Sequence, residues 1–378
     1  MKRDLLVFVI ACVCGIFGLG ACGATIQDAE AGNPRCAPAV RGAGWRHHVQ
    51  GGRVASKLGS PRHVVLDVLA SAGQPAVVRG KFAYGKASKD VEDETVELWQ
   101  ELPAASGKAR CAWRALGQQV TDDDGRVSFT VPPESFTGPG PHRVRMYLLG
   151  DRTFAEARVW VLAPGRAAVL FDIDGTLTKD DGELFEDLLG GKAEMWPSAN
   201  DVAHHWAKQG YLPVYITGRP YFLRNDTLAW LTKHRFPLGP VFGVDSALDF
   251  LPGESHVGEY KQKLLSRLVG ELKVLFHRAY GNAATDVCAY ARAGIAPERT
   301  HIAGKPRPGC DAFAAPHFLP SYVDHLRELQ QPRSPATPAS PAQPAPAPAQ
   351  PAPAAAPAPA APPAQPAPAA QPAPAAPR

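Results

Sequence analysis

Short apolar runs alternate with amphipathic stretches between residues 167 and 302, and no other pattern in the chain restricts its fold as strongly. Strands are predicted at residues 167–171, 212–216, 241–244, 274–280 and 300–302. Helices are predicted between them, at residues 198–210, 221–234, 259–272 and 285–293. Because strands and helices alternate, we expect an α/β domain at residues 165–330, with a parallel sheet covered by helices on both faces. Ligands in such folds bind beyond the carboxyl ends of the strands.

The preceding region, residues 61–164, has a different pattern, in which short apolar strands are separated by turn residues. One predicted strand covers residues 63–69, another covers residues 76–84, and Asp124-Gly125 is a hairpin signal before residues 127–131. About six or seven strands in roughly 100 residues are typical of an immunoglobulin-like β-sandwich. We therefore predict that a β-sandwich domain precedes the α/β domain.

The first 21 residues have the pattern of a secretory signal peptide, with a basic start, an apolar run and small residues at the exit. Leu19-Gly20-Ala21-Cys22 resembles a bacterial lipobox, in which the cysteine becomes the lipid-modified first residue. These patterns predict an exported protein that is lipid-anchored through Cys22 in a bacterial cell envelope, with residues 22–60 as a linker. The alternative is ordinary signal-peptide cleavage, with Cys22 incidental.

The carboxyl-terminal segment, residues 331–378, contains 18 of the 39 prolines and consists almost entirely of Pro, Ala and Gln. Such a composition cannot bury an apolar core, so we predict a disordered, extended tail that serves as a spacer. Recognition by a proline-binding partner is the alternative, since PxxP spacings occur. In the whole chain, 40 basic residues are balanced by 36 acidic ones, and the net charge of +4 does not indicate a nucleic-acid partner.

Four cysteines follow the predicted lipobox: Cys36, Cys111, Cys288 and Cys310. In an oxidising compartment an even number permits two disulfides, and the sequence does not distinguish among the possible connectivities. No pair has CxxC spacing, so a zinc site is not indicated, and free buried cysteines are the alternative.

Four polar clusters lie at strand ends or in a helix of the predicted α/β domain. Asp172 and Asp174 come directly after the first strand, where a glycine then permits a tight turn. The run 217–219, Thr-Gly-Arg, follows the second strand, Lys261 lies in a later helix, and the run 281–286, Gly-Asn-Ala-Ala-Thr-Asp, follows the fourth strand. Two carboxylates on a tight turn are able to fold over a metal ion, so this edge of the sheet is the candidate site.

In this order the four clusters resemble motifs I to IV of the haloacid dehalogenase superfamily. Asp-Ile-Asp-Gly-Thr, Tyr-Ile-Thr-Gly-Arg-Pro and Gly-Asn-x-x-x-Asp are similar to the catalytic domain of lipin-type phosphatidate phosphatases. They also resemble the related C-terminal domain of phosphatidylinositol-transfer proteins of the retinal degeneration B type. The likeness runs from about residue 150 to residue 329 and implies a Rossmann-like haloacid dehalogenase fold.

The spacing of the motifs leaves no room for a large cap domain. About 40 residues separate motif I from motif II, and about 40 more precede Lys261, and part of each interval is needed for core helices. An open site suits a bulky or membrane-embedded substrate. Residues 183–189, with Met195-Trp196 nearby, are a candidate flap against lipid, although apolar residues of this kind more commonly pack in a core.

The resemblance implies a phosphoryl-transfer site built on two aspartates. Asp172 corresponds to the nucleophile, which forms an aspartyl-phosphate intermediate, and Asp174 to the general acid and base. The implied cofactor is Mg²⁺, held by Asp172, by the backbone carbonyl of Asp174, and by Asp286 or Asn282, with waters completing the octahedron.

The remaining motif residues correspond to a phosphate-binding set. Thr217 and the amide of Gly218 are expected to hydrogen-bond the phosphoryl group, and Lys261 to offset its charge. Lys263 competes with Lys261 for this role, but an aromatic residue before Lys261 matches the lipin-type pattern. Arg219 is expected either to contact a substrate head group or to brace its loop.

The leading hypothesis is a Mg²⁺-dependent phosphomonoester hydrolase that acts on a phosphatidate-like lipid at the membrane. One alternative is a non-catalytic phosphatidic-acid-binding module, because in the transfer proteins the position matching Asp172 is typically not aspartate. Their domain is regarded as recognising phosphatidic acid without hydrolysing it. Another alternative is a phosphatase for soluble or protein phosphoesters. The presence of both Asp172 and Asp174 favours catalysis.

Overall fold

The computed structural model describes seven ranges of the chain: residues 36–42, 44–47, 51–103, 112–179, 193–244, 254–311 and 313–331. The predicted signal segment, the lipobox residue Cys22 and the tail from residue 332 onward lie outside these ranges. So do Cys111 and the candidate flap at residues 183–189.

The first folded region is a β-sandwich, as predicted. Its described strands are β1 Val64–Val65, β2 Val68–Ser71, β3 Ala76–Lys81, β4 Ala83–Tyr84, β5 Lys89–Asp90, β6 Thr95–Leu102, β7 Ala112–Val120, β8 Arg126–Val131, β9 Gly140–Leu148 and β10 Phe154–Leu162. One sheet has the strand order β1-β3-β8 and the other has the order β2-β10-β9-β6-β7, while β4 pairs with β5. Alternate residues of β3, β6 and β8 are buried, and they pack in one core that contains Val78, Leu98 and Met146.

Residues 63–69, predicted as one strand, form two strands in different sheets. β1 pairs with β3, and β2 pairs in parallel with β10. The chain changes sheet at Leu66 and Asp67, where the Asp67 carboxylate accepts hydrogen bonds from the backbone N–H groups of Arg158 and Val241 at 2.9 and 3.0 Å. The single-strand prediction is wrong because partners far away in the sequence fix this break.

The second folded region is the predicted parallel α/β sheet. Its strands are β11 Ala167–Asp172, β12 Leu212–Pro220, β13 Val241–Val244, β14 Leu275–Gly281, β15 Thr300–Ala303 and β16 His317–Leu319. Their spatial order is β13-β12-β11-β14-β15-β16, and each neighbouring pair is parallel. The chain therefore leaves every strand at the same edge of the sheet.

Apolar side chains cover both faces of the central strand β11. Val169 and Phe171 point into one core, and Ala168 and Leu170 into the core on the opposite face. All four are fully buried, as expected for a parallel strand between two layers of helices.

The described helices are α1 Gly52–Ala55, α2 Ala199–Lys208, α3 Arg224–Lys233, α4 Glu254–Gly270, α5 Ala284–Arg292 and α6 Tyr322–Gln330. Within the ranges that the model describes, no helix combines the length and apolar character needed to cross a membrane. Cys288 of α5 forms a disulfide with Cys310. This excludes every connectivity in which Cys288 or Cys310 pairs with another cysteine.

The sandwich and the α/β domain share a continuous apolar core. Leu69, Trp160 and Leu162 of the sandwich pack in the same cluster as Ala168 and Leu170 of β11. The segment predicted as a linker also contributes to the folded region, because Trp45 packs against the sandwich core. The two domains therefore form a single packed body with β11 at their shared core.

Candidate active site

Strand β11 ends at Asp172, and the chain then turns sharply over the edge of the sheet. Gly175 has a φ of 69°, in the left-handed region that favours glycine, and its N–H donates to Thr178 Oγ1 at 2.9 Å. The turn leaves Asp172 almost completely buried and Asp174 with 18% of its side chain exposed. Of the two aspartates of motif I, Asp172 therefore lies in the protein interior and Asp174 lies nearer the solvent.

Lys261 lies between two buried carboxylates. Its Nζ atom is 2.6 Å from Asp172 Oδ1 and 2.6 Å from Asp286 Oδ1. All three side chains are 5% exposed or less. Lys263 is exposed, so of the two lysines considered from the sequence the structure brings Lys261 into the site.

This cluster holds two carboxylates and one ammonium group, so it carries one excess negative charge when both acids are ionised. Burial, reinforced by the charge of Asp286, raises the pKa of Asp172 to about 7, and Lys261 offsets only part of this effect. Burial also acts to lower the pKa of Lys261, but Asp172 and Asp286 outweigh it and hold that pKa above its ordinary value. The site therefore has a deficit of positive charge.

Both oxygens of Asp286 have partners within the protein. Oδ1 accepts from Lys261, and Oδ2 accepts from the backbone N–H groups of Asn282 and Ala283, each at 3.0 Å. Asp286 thus fixes the loop after β14 and the position of Lys261. Both alternative ligands predicted from motif IV therefore lie at the site, and the amide oxygen of Asn282 is the one that contacts Thr176.

One oxygen atom from each of Asp172, Thr176 and Asn282 lies in a short chain of contacts. Thr176 Oγ1 lies 3.0 Å from Asp172 Oδ2 and 3.2 Å from Asn282 Oδ1. Among the described side chains no group of three or more His, Cys, Asp or Glu residues is placed to hold a metal ion. Mg²⁺, however, is commonly bound through one or two carboxylates with waters in the other positions, and it prefers oxygen ligands. The oxygen donors and the charge deficit both fit a hard divalent cation.

Asp174 is held by the residues of motif II. Thr217 Oγ1 donates to Asp174 Oδ2 at 2.6 Å, and Arg219 Nε and Nη2 both lie within 2.9 Å of Asp174 Oδ1. Arg219 Nη1 also donates to Thr227 of α3 at 3.0 Å. Of the two roles considered for Arg219, contact with a substrate head group or bracing, this arrangement corresponds to bracing. The Thr217 hydroxyl, besides contacting Asp174, accepts a hydrogen bond from the backbone N–H of Arg219.

Gly218 lies between these two residues and is half-buried. A Cβ atom there would come within 2.9 Å of Val257 in α4, so a side chain would press on the helix that carries Lys261. The sheet edge thus brings together every residue predicted for the site: Asp172, Asp174, Thr217, Gly218, Arg219, Lys261, Asn282 and Asp286.

Three further contacts were not predicted. Thr176 contacts Asp172, and its position directly after Asp-Gly in motif I is the sequence feature that could have identified it as a site residue. Tyr322 of α6 donates from its hydroxyl to the Thr176 carbonyl at 3.1 Å, and Arg307 Nε donates to the Asn282 carbonyl at 3.0 Å. No local sequence pattern marks Tyr322 or Arg307, because both reach the site through the tertiary fold.

Two family models match the two folded regions. Residues 169–304 match the LNS2 domain of PITM 1-3, and residues 61–161 match the PITM 1-3 beta-sandwich domain. The first match covers all four motifs and the second covers the sandwich strands. The predicted relation to retinal degeneration B-type proteins is therefore confirmed at the level of these domains, and it does not establish catalysis.

Similar whole proteins are much longer than the matched region. Human membrane-associated phosphatidylinositol transfer protein 1 is 35% identical over 271 residues, covering 71% of this chain and 20% of that protein. Protein retinal degeneration B of Drosophila melanogaster is 29% identical over 246 residues, covering 64% of this chain and 18% of that protein. The chain thus spans about a fifth of the length of these relatives.

The similar solved structures are more distant than these relatives. D,D-heptose 1,7-bisphosphate phosphatase from B. bronchiseptica, complexed with magnesium and phosphate, has a TM-score of 0.31 and 11% identity, covering 43% of this chain and 97% of that chain. The class C acid phosphatase from Bacillus anthracis with tungstate bound has a TM-score of 0.26 and 17% identity, covering 32% of this chain and 54% of that chain. At these scores the likeness supports no inference about activity.

The relatives contradict the predicted location. They come from human, rat, mouse and Drosophila and are named as membrane-associated transfer proteins or as retinal degeneration B, not as exported bacterial lipoproteins. The prediction of a lipid-anchored protein of the bacterial cell envelope is therefore wrong, and neither the signal peptide nor the lipid on Cys22 is supported. A 15-residue apolar run beside a cysteine is a short compositional pattern, whereas the match to these relatives extends over as many as 271 residues.

The strand order, the sheet-edge motifs and the two family matches agree with one another. The fold class predicted from the sequence, a Rossmann-like parallel sheet preceded by a β-sandwich, is confirmed. Residues 61–161 and 169–304 of this chain are therefore a beta-sandwich domain and an LNS2 domain of the PITM 1-3 family.

Proposed function

We propose that this chain is a Mg²⁺-dependent phosphomonoester hydrolase that acts on a phosphatidate-like lipid through an aspartyl-phosphate intermediate. One observation carries the proposal. Asp172, at the carboxyl end of the central strand, is a buried carboxylate in a cluster with excess negative charge, within reach of a lysine and of hard oxygen donors. A purely structural cluster has no need of this charge deficit, since buried charges are ordinarily paired.

Asp172 is the nucleophile in this proposal. Lys261 holds one oxygen of its carboxylate and Thr176 holds the other, so the orientation of the carboxylate is fixed before substrate binds. Asp172 attacks phosphorus, the bond from phosphorus to the ester oxygen breaks, and an acyl phosphate forms on the aspartate. Lys261 offsets negative charge on the transferred phosphoryl group.

Asp174 transfers the protons in both steps. It donates a proton to the departing alcohol, and it then removes one from the water that hydrolyses the acyl phosphate. Thr217 and Arg219 contact both oxygens of its carboxylate and so fix its orientation. The first step requires an Asp174 oxygen to face the departing alcohol, so one of these contacts must open when substrate binds.

The residues that would hold Mg²⁺ are Asp172, Asn282 and the backbone carbonyl of Asp174, while Asp286 keeps Lys261 and the Asn282 loop in place. When bound, the ion supplies positive charge that neutralises the nucleophile and the phosphoryl oxygens. It would also remove the charge deficit of the buried cluster.

The proposal of a phospholipid substrate is supported by relatives that are named as membrane-associated phosphatidylinositol transfer proteins. The motifs that resemble lipin-type phosphatidate phosphatases support the same substrate class. The short intervals between Asp172, Thr217 and Lys261 leave no room for a large cap, so bulky lipid has access to the sheet edge. A membrane-associated role follows from the substrate and requires no lipid anchor.

A second candidate is recognition of phosphatidate without hydrolysis. The contacts of Thr217 and Arg219 with Asp174 favour it, because they engage both carboxylate oxygens that a general acid would present to a leaving group. The relatives are also named as transfer proteins, not as hydrolases. In this case the same phosphate-binding residues are retained but turnover is absent.

An assay in mixed micelles separates these candidates. The purified chain is given phosphatidate, glycerol 3-phosphate or a phosphopeptide, with Mg²⁺ or with EDTA, and released phosphate is measured. Asp172→Asn tests the nucleophile, and Asp201→Asn, at an exposed aspartate of α2, is the matched control. We expect Mg²⁺-dependent release from phosphatidate by the wild type and the control only.

Other outcomes contradict the proposal in different ways. Binding to phosphatidate micelles without phosphate release would support the second candidate. Release from the soluble ester or the phosphopeptide but never from lipid would retain the enzyme and reject the lipid substrate. Equal release by Asp172→Asn would reject Asp172 as the nucleophile.

A further inference from the structure

A loop that no motif includes reaches the catalytic edge of the sheet. Strand β15 ends at Ala303 and is parallel to β14, so residues 304–311 leave the sheet at the same edge as Asp172 and Asn282. Arg307 in this loop is half-buried, and its Nε donates to the backbone carbonyl of Asn282 at 3.0 Å. The side-chain oxygen of the same Asn282 lies beside Thr176 in the proposed cation site.

Two links fasten the far end of the loop to helix α5. Cys310 forms a disulfide with Cys288, and Arg292 Nη2 lies 3.0 Å from Asp311 Oδ2. Helix α5 begins directly after Asn282 and Ala283, so its position sets that of the Asn282 loop. The loop and the cation-binding loop are thus joined both at Arg307 and through α5.

The local sequence makes this loop stiff. Pro306 and Pro308 flank Arg307 and restrict the backbone on either side of it. A Cβ atom at Gly309 would lie only 2.0 Å from the Phe313 carbonyl oxygen, so the chain passes close to itself there. Cys310 packs with Val287 and Ile302 in a small apolar cluster. Arg307 is therefore presented by a fixed support.

We propose that Arg307 is a positioning residue for Asn282 in the divalent-cation site, and that the Cys288–Cys310 disulfide makes cation affinity sensitive to thiol reductants. This inference rests on the proposed function, because it takes the Asn282 side chain to be a cation ligand. The guanidinium group holds the Asn282 carbonyl and so limits the movement of the amide oxygen beside Asp172. Partners of this kind typically change metal affinity by about 10- to 100-fold when they are removed.

A dithiol reductant supplies the chemistry of the redox response. Two electrons from the dithiol break the Cys288–Cys310 bond, each sulfur takes up a proton to become a thiol, and the reductant forms its own disulfide. The Arg292–Asp311 pair then holds the end of the loop alone. Both side chains of that pair are exposed, and exposed ion pairs contribute little stability. Arg307 is then free to leave Asn282.

The experiment measures Mg²⁺ binding to the full chain by titration calorimetry, without any substrate. We expect Arg307→Ala to raise the dissociation constant about tenfold and Arg307→Lys, which retains a donor, to raise it less. Arg299→Ala, at an exposed arginine before β15, is the matched control and should bind as the wild type does. Melting temperatures show whether each variant is folded.

The disulfide is tested by repeating the titration after treatment with dithiothreitol. Affinity of the wild type should fall, and the double variant Cys288→Ser with Cys310→Ser should show the lower affinity without any further response to the reductant. If this variant does not fold, the treated and untreated wild type supply the comparison. Unchanged affinity after Arg307→Ala, or no Mg²⁺ binding by the wild type, would overturn the inference.

Failure of the inference is distinguishable from failure of the proposed function. If Mg²⁺ binds and its affinity responds as expected but no phosphoester is hydrolysed, the positioning role holds and the enzymatic proposal fails. If phosphatidate is hydrolysed but Mg²⁺ affinity is the same in Arg307→Ala and the wild type, the enzyme holds and the role of Arg307 fails.

Discussion

Two clusters of buried charge in this molecule differ in their balance. At the junction of the two domains, Asp67 pairs with Arg224 at 2.8 Å, one carboxylate with one guanidinium. At the edge of the sheet, Asp172 and Asp286 share the single cation of Lys261. Both clusters are almost completely buried, so exposure does not distinguish them.

Hydrogen bonding accentuates the difference. Asp67 also accepts from two backbone N–H groups, and Arg224 donates to the Val241 carbonyl, so the junction pair is matched in charge. The cluster at the sheet edge instead places an Asp172 oxygen beside Thr176 Oγ1, which also contacts Asn282 Oδ1. A matched pair joins the two domains, whereas a cluster with excess negative charge favours the binding of a cation. In the proposed function, this difference in charge balance distinguishes the structural cluster from the site of chemistry.

The largest expected effect is on turnover. Asp172→Asn removes the nucleophile and should lower phosphatidate hydrolysis by roughly 10³-fold or more. Asp67→Asn at the junction should leave the rate within a few-fold of the wild type, because it touches none of the reacting atoms. Initial rates in mixed micelles test both variants, and a similar loss in the two would remove the distinction.

The second effect is on stability, where substitution of Asp67 should have a larger effect than substitution of Asp172. Asp67→Ala leaves Arg224 buried without its carboxylate and should lower the free energy of unfolding by about 3–5 kcal/mol. Asp172→Asn relieves the excess charge and should not lower it. Urea denaturation followed by circular dichroism measures both, and a large loss for Asp172→Asn would show that its cluster is structural.

The third effect concerns His63, a buried group of the sandwich that remains uncharged. Burial lowers the pKa of His63 to about 4, although Asp151 opposes the shift. The unfolded chain therefore takes up a proton before the folded chain does, and unfolding free energy should fall as pH decreases from 6.5 toward 4. The total loss of unfolding free energy that is due to His63 is about 3 kcal/mol, at ~1.36 kcal/mol per pKa unit.

Denaturation between pH 4 and pH 7 tests this, with His63→Gln as the comparison. The variant should show a shallower dependence on pH than the wild type. Parallel curves would mean that His63 takes up its proton equally in both states.

The smallest effect is that of added Mg²⁺. At 100 times its dissociation constant, the ion should raise the unfolding free energy by about 2.7 kcal/mol, because it binds the folded state alone. Asp172→Asn should lose most of this gain and Asp67→Asn should keep it. Thermal denaturation with and without Mg²⁺ provides the measurement, and equal gains in the two variants would place the cation elsewhere.

Strands and motifs were predictable from the sequence because their signals are local. The parallel sheet follows from apolar runs such as that of β11, buried on both faces, and motif order placed the acids at strand ends. β16, His317–Leu319, was missed because it has only three residues, and two of them are exposed. The break at Asp67 was missed because Val241, which fixes it, lies 174 residues further along the chain.

The sequence predicted which residues belong to the site better than it predicted which of them contact one another. Lys261 was selected over Lys263 by resemblance, and the register of α4 explains the choice, since it directs Lys261 at Asp172, 89 residues earlier. That Arg219 would hold Asp174 depends on the path of β12, and Arg307 approaches from a loop outside every motif. Local patterns identify which residues carry chemistry, while the tertiary fold determines which of them meet.

The central claim is that Asp172 captures phosphorus, and a trapping experiment tests it most directly. The wild type is mixed with ³²P-labelled phosphatidate and Mg²⁺, quenched in acid within one turnover, and digested for mass spectrometry. We predict label on the peptide that contains Asp172, released by mild base and absent from Asp172→Asn. Hydrolysis of phosphatidate without any label on that peptide, or equal labelling of the variant, would contradict the account.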